Sequence, residues 1–414
     1  MSAFSIPLSG LASSADSLNV IGNNLANLNT DGYKDQTLNF SDVFNGMQGV
    51  SGNGDPIQVG SGVQVGGETS NFTNGSVSST GISSNMALQG NGFFVVNDVA
   101  NKETSYTRDV DFSVNSQGQL CDTSGELVMG YPAVNGVIST SATLAPISVN
   151  QASNIPAVAT TTFQMNTNLD ASATAGTTFS SPIAVYDSLG DSHNLDVQYT
   201  NTGANSWSYS ISIPGADVGS AAASQTVGSG TLTFNSSGQL TSPSGSITGI
   251  NITGLADGAA NMNLSWNLAG TSGSPTLTQE DSTSATSATS QDGYGVGALT
   301  GYTVLSDGTV QGQFSNNQTM SLGQVAVASF ANAQGLQQIG NNDLQSTFAS
   351  GAAVVGQAGA AGNGTITGGA IEESNVSLST EFANMIVAQQ GYEANAKVLT
   401  TMDQVSQATI QLIS

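Results

Sequence analysis

The two ends of this chain carry the pattern that most limits what it can fold into. In residues 374–413, Leu378, Phe382, Met385, Tyr392, Leu399 and Met402 recur at steps of three, four and seven. That spacing puts side chains on one face of an α-helix. Val398, Val405, Ile410 and Ile413 widen the face, and Gln389, Gln390, Asn395, Gln404, Gln407 and Gln411 give the opposite one a polar, uncharged surface. Proline is absent, and Gly391 in the middle costs about 1 kcal/mol relative to alanine. The N-terminus repeats the pattern with Leu8, Leu11, Ala15, Leu18, Ile21, Leu25 and Leu28, and Asp16 is the one charged side chain before residue 31. Asn29-Thr-Asp-Gly32 then ends it, glycine supplying a left-handed cap. Such helices are marginal in water and gain most of their stability from packing. They pair inside one globular protein, or they form a terminal module that packs against copies of itself and orders as it does so.

What lies between the helices reads as β-structure. Only 8% of residues are charged and 50 are glycine, which suits short strands and many turns. Residues 33–73 look irregular and glycine-rich. Met86–Gln89, Gly90-Asn-Gly92 and Phe93–Val96 read as a hairpin. The turn Asn115-Ser-Gln-Gly118 has a near copy at Asn235-Ser-Ser-Gly238, which predicts similar hairpins in two β-domains. Alternation in His193–Tyr199, Trp207–Ile213 and Met262–Leu268 marks an insertion with its own core. A Gly/Ala-rich linker, 352–367, precedes the last helix. The predicted fold is mainly β with α-helical termini: discontinuous β-domains in series plus a terminal two-helix coiled-coil module. Its parts are 1–30 and 374–414 (helical module), 31–76 and 359–373 (linkers), 77–147 and 293–358 (first β-domain) and 148–292 (inserted outer β-domain).

The charge balance excludes several functions. Against 28 acids stand Lys34, Lys102, Arg108 and Lys397. Four scattered cations cannot grip a phosphate backbone or an anionic membrane surface. Cys121 is the sole cysteine, so no intrachain disulfide or cysteine metal cluster is possible, and it reads as inert. His193, the sole histidine, leaves no room for a multi-histidine site and reads as a structural strand-edge or turn residue. Asp187 and Asp191 could form a glycosidase-like carboxylate pair or a calcium loop, but their place in a short turn favours turn duty. Gly293, Gly295 and Gly297 lack the context of a dinucleotide fingerprint. No cofactor, metal or catalytic constellation is expected. The N-terminus lacks a basic region and a continuous apolar run, and no segment is long and apolar enough to span a membrane.

Some stretches are longer than patterns. Leu8-Ser-Gly-Leu-Ala-Ser-Ser-Ala15, Leu18-Asn-Val-Ile-Gly-Asn-Asn-Leu-Ala-Asn27 and Thr30-Asp-Gly-Tyr-Lys34 resemble the N-terminal signature of the bacterial flagellar rod and hook axial proteins. Glu373-Ser-Asn-Val-Ser-Leu-Ser-Thr-Glu-Phe382 and Ile386-Val-Ala-Gln-Gln-Gly-Tyr-Glu-Ala-Asn-Ala396 resemble their C-terminal one. Val185-Tyr-Asp-Ser-Leu-Gly-Asp-Ser-His193, Asp292-Gly-Tyr294, Asp307-Gly-Thr-Val310 and Leu322-Gly-Gln-Val325 are most similar to hook subunits within that family. Gln390 departs from it, standing where members often carry arginine.

The resemblance implies a homo-polymer: a curved, flexible tube acting as a universal joint between rod and filament and enclosing an export channel. It implies extracellular localisation in the flagellum, without a cleaved signal peptide, through the flagellar type III export apparatus. Further partners would be rod, hook-cap and hook-filament junction proteins. Assembly would rest on Leu8, Leu11, Leu18, Ile21, Leu25, Leu28, Leu378, Phe382, Met385, Tyr392, Leu399 and Met402. Phe40 and Phe44 fit the family's short export motif. A distal-rod-type axial protein, or a secreted β-rich adhesin or enzyme built on the insertion, is the alternative.

Overall fold

Both ends fold as their periodicity predicts. In the computed structural model, α1 spans Ser5–Ala26 and α2 spans Leu378–Ile413. The structure describes residues 4–50, 56–98, 103–109, 111–150, 154–270 and 274–413; the side chains of 44–50, 56–59 and 412–413 lie outside the description. The chain forms two compact units, one of Met1–Gln151, Gly301–Gly312 and Thr319–Ser414, the other of Ala152–Thr300 and Gln313–Gln318.

In the first unit the segment after α1 corrects the sequence reading. It is not irregular: β1 (Gln36–Val50) and β2 (Pro56–Ser70) form a long antiparallel hairpin from Gln36↔Ser70 to Val50↔Pro56. The register slips between Asn39 and Phe40, between Asp42 and Phe44, and between Asn45 and Gly49. Each slip moves the apolar residues to the other face, so no period of two survives in the sequence. The β-domain beyond it is built on the strand order Thr319–Ser329, Leu127–Val134, Phe93–Asn97, Thr104–Thr107, Asp343–Gln345, Gln337–Gly340. Its core joins Phe93, Tyr106 and Tyr131 to Ala326, Ala328 and Leu344, with Phe72 and Phe330 packed edge-on at ring separations of 4.8–5.9 Å.

Met86–Gln89 and Phe93–Asn97 are strands, but not partners. The first pairs with Thr365–Gly368 and the second with Thr104–Thr107. Gly90 and Gly92, at φ 108° and 123°, redirect the chain instead of reversing it. A Cβ on Gly92 would sit 2.5 Å from Val327. The supposed linkers are strands too: Val354–Gln357 pairs with 326–329, and Ala370–Glu372 pairs with Val77–Ser79. The first pair is separated by about thirty residues and the second by nearly three hundred, so no local pattern announces either.

The second unit has two sheets around one core. One is an antiparallel meander of Thr178–Tyr186, Ser192–Gly203, Ser206–Pro214, Ser224–Phe234 and Leu240–Ser242. In the other, Thr162–Asp170 runs parallel to Met262–Asn267 and Leu277–Glu280 and antiparallel to Ala285–Gln291. Both contribute to a cluster centred on Trp266, whose ring lies 5.5–6.1 Å from Phe163, Tyr199 and Tyr209. Asp187 does turn duty, its Oδ1 accepting the N–H groups of Leu189, Gly190 and Asp191 at 2.7–2.9 Å. His193 is held from both sides, Nε2 at 3.3 Å from Asp187 and Nδ1 at 3.0 Å from Asp217. Burial favours the neutral imidazole, but the Asp217 and Asp187 carboxylates outweigh it and raise the His193 pKa. The repeated turns match atom for atom. Asn115 Oδ1 accepts from Gln117 and Gln119 N–H in the first unit, and Asn235 Oδ1 from Ser237 and Gln239 N–H in the second, all at 2.9 Å.

Candidate assembly interface

The helices are antiparallel partners, and their seam is made of small and polar residues. A Cβ on Gly10 would lie 2.8 Å from the Asn395 amide, and one on Gly391 would lie 3.2 Å from Ser14 Oγ. Farther along, Asn24 Nδ2 reaches Glu381 Oε2 at 3.3 Å. Each step forward on α1 is therefore a step back on α2. Continued to Ser5, this register reaches Thr400, and residues 401–413 of α2 run on past α1. Glycine in mid-helix thus has a packing reason: it lets two backbones approach.

The apolar stripes do not fill that seam. Leu8, Leu378, Phe382 and Tyr392 are 39–55% exposed. Leu11, Leu18, Leu25, Leu28, Met385, Leu399 and Met402 are half-buried, and Ile21 is the member of the set that is buried. The two ends of the chain meet, but on a face other than the stripes. On α2, Glu381 is the buried residue among those whose side chains are described, and Ile386, Val387, Val398, Val405 and Ile410 are 45–69% exposed. An open apolar trough lined by Phe4, Val398, Met402 and Val405 lies where α2 outruns α1. Its walls present about 1.5–3 kcal/mol of unrealised burial per large side chain.

Polar contacts fix the helices to the rest of the unit. Asn24, 1% exposed, donates to Asp35 Oδ1 at 2.7 Å and Gln36 O at 2.8 Å, and accepts from Gln36 N–H and the Tyr33 hydroxyl, each at 3.1 Å. Burial, with Glu68 and Asp35 nearby, pushes the Tyr33 hydroxyl up to about 12 and keeps it a donor. Burial and the Glu381 charge also raise Asp35. Just inside the helices, the fully buried Glu372 carboxylate holds Lys34 Nζ at 2.7 Å and Arg108 Nη1 at 3.6 Å, and accepts the Gly75 N–H at 2.7 Å. Burial lowers the pKa of both cations, and Glu372 pulls each back. Lys34, Glu372 and Arg108 join three distant stretches of chain, a role that sequence reasoning missed. The available signal was scarcity: few cations exist, and Lys34 closes the N-terminal signature. Gly32, at φ 71°, donates to Glu372 O at 2.7 Å, and its missing Cβ makes room for Arg108 O.

Phe40 lies on β1 opposite Val65 and is 45% exposed. Phe44 lies on the same strand, and its side chain falls outside the described residues. Cys121 is buried in a strand with its sulfur 3.3 Å from Ser113 Oγ.

Comparison with known proteins follows the same division. Residues 6–34 match the family described as flagella basal body rod protein, and 367–412 the flagellar basal body rod FlgEFG protein C-terminal family. Residues 87–168 match the flagellar hook protein FlgE/F/G D1 domain, and 150–294 the flagellar basal body protein FlaE D2 domain. The flagellar hook protein FlgE of Escherichia coli is 35% identical over 99% of this chain and 100% of its own length. That of Salmonella typhimurium is 36% identical over 99% and 100%. That of Treponema pallidum is 30% identical over 98% of both. A crystal structure of Helicobacter pylori flagellar hook protein FlgE2 shares the fold, with a TM-score of 0.51 at 14% identity over 70% of this chain and 98% of that one. Relatives alike from end to end, through both helices and the insertion, put this chain in the flagellar hook protein family.

Proposed function

We propose that this chain is the structural subunit of a bacterial flagellar hook, assembling with copies of itself into a curved tube that transmits torque from rod to filament. The observation that carries the reading is the terminal helix pair, closed on a small-residue seam while its large apolar side chains face outward. Neighbouring subunits would cover Leu8, Leu11, Leu18, Leu25, Leu28, Leu378, Phe382, Met385, Tyr392, Leu399 and Met402, with Ile21 anchoring the pair. In this reading 1–30 and 374–414 form the inner layer around the export channel, 77–147 and 293–358 the middle layer and 148–292 the outer one. Uncharged Asn, Gln and Ser faces suit a channel that passes unfolded chains without holding them. The work is mechanical and not enzymatic. Rod, hook-cap and hook-filament junction proteins are its neighbours, and the type III export apparatus delivers it, engaging Phe40 and Phe44 while the chain is unfolded. The ends match families named for the rod, but the full-length likeness is to hook proteins, which favours the hook reading over the distal-rod and adhesin ones.

Full-length protein and a 31–373 fragment, which keeps the Lys34–Glu372 pair, should be compared by sedimentation and electron microscopy under mild precipitant. Curved tubes from the full chain alone are expected. Tubes from the fragment would refute assembly through the ends, and straight tubes from the full chain would favour a rod-type protein.

A further inference from the structure

Away from the helices, the first unit holds a buried carboxyl group, Asp343, one oxygen of which has no partner among the described residues. Asp343 is 4% exposed and its Oδ1 has no hydrogen-bond partner. It meets Asp122 and Glu126 so closely that one carboxylate oxygen from each of the three lies within 4.8 Å of the others. The fold brings them together from separate places. Asp122 and Glu126 flank the turn between Leu120–Cys121 and Leu127–Val134, and Asp343 comes from the strand that pairs Asp343↔Thr107. Two of the three are already oriented. Asp122 Oδ1 accepts the Ser124 and Glu126 N–H groups at 2.9 and 2.8 Å, and Glu126 Oε2 accepts the Ser105 hydroxyl. The charged groups acting on Asp343 are Glu126, Asp122 and Asp109, all acids. Lys34 and Arg108 are engaged by Glu372.

We propose that Asp122, Glu126 and Asp343 bind one divalent cation of the calcium type. The donor set is all hard oxygen, which excludes a preference for zinc or copper. Calcium–oxygen distances of about 2.3–2.6 Å place opposed ligands up to about 5 Å apart, whereas magnesium holds them within about 4.2 Å. Three oxygens within 4.8 Å of one another can share one ion with little rearrangement, and an irregular set held by a turn and a strand suits calcium's flexible shell better than the near-ideal octahedron magnesium demands. A bound ion satisfies the orphaned Asp343 oxygen, neutralises converging acids and ties the 343–345 strand to the 122–126 turn. The proposal does not depend on how the chain assembles.

The test is equilibrium dialysis of the full chain against calcium chloride, with thermal unfolding in calcium chloride, magnesium chloride, and sodium chloride of matched ionic strength. One calcium ion per chain should bind more tightly than those held by scattered surface acids. Asp343→Asn and Glu126→Gln should each weaken it at least tenfold. Calcium should raise the melting temperature of the parent protein, more than magnesium does, and leave both variants unmoved. If Asp343→Asn does not fold, the half-buried Glu126→Gln decides alone. Equal calcium isotherms for parent and variants, or a shift that sodium chloride reproduces, would overturn the proposal. So would a variant stabilised in chelator with no calcium effect in the parent, because Asp343 would then be a buried acid that keeps its proton.

Discussion

The inserted unit and the terminal helices put regularly spaced apolar residues to opposite ends. In the insertion, alternation in 206–214 puts Trp207, Tyr209, Ile211 and Ile213 inward, and Trp207 and Trp266 have no exposed surface. Its core is complete within one chain. The helices carry leucine, phenylalanine and tyrosine at equally regular spacing, yet Leu8, Phe382 and Tyr392 remain 39–55% exposed. Periodicity therefore says that a face will be buried, not by which chain. Where two sheets can close on each other the answer is this chain; where two lone helices meet through glycine, serine and asparagine, the face is left for others.

That contrast can be broken by mutation. The largest effect should come from Phe382→Asp or Leu18→Asp, which place a charge in the stripe. Each should abolish tubes in electron micrographs while leaving the tryptophan fluorescence melt of the insertion unchanged; normal tubes would refute the stripe assignment. Next, Lys34→Met leaves buried Glu372 with the more distant Arg108 as its partner cation. Stability of the first unit should fall by about 3–5 kcal/mol in denaturant titration, with the insertion untouched. The converse experiment is Trp266→Ala, expected to cost the insertion about 3–5 kcal/mol. Trp207 reports that transition, and the helix stripe should still drive association at low temperature.

A smaller effect sharpens the comparison through pH. His193, with its pKa raised above the ordinary 6.5, stabilises the insertion fully below that value and loses the contribution as pH rises through the folded pKa. Asp187 is held below its ordinary 3.8 because the hydrogen bonds it accepts from His193 and from the Gly190 and Asp191 N–H groups outweigh burial; its contribution is present above 3.8 and fades as pH falls through the lowered value. The insertion should melt highest between these limits and lose about 2–4 °C per kcal/mol on the alkaline side. His193→Asn should flatten that alkaline slope in a calorimetric series.

Much of this was legible in the sequence where structure is local. Both helices, the twin Asn115 and Asn235 turns and the alternating strands of the insertion follow from spacing and turn chemistry. What was not legible is non-local. The β1–β2 hairpin hides behind register slips, and Met86–Gln89 pairs with Thr365–Gly368 instead of its neighbour. The Lys34–Glu372 contact and the Asp122, Glu126 and Asp343 cluster join residues that no window contains together. The helix seam was not legible for a different reason. Large side chains dominate a periodicity, whereas Gly10, Ser14, Gly391 and Asn395 make the contact because they are small.

The measurement that tests the central claim most directly is amide hydrogen exchange on the full chain, once as dilute monomer and once as polymer. Residues 162–291 should be equally protected in both states. Residues 5–26 and 378–413 should exchange rapidly in the monomer and become protected on assembly, because their apolar faces are completed only by other copies. Strong, equal protection of both helices in the dilute monomer would contradict the account.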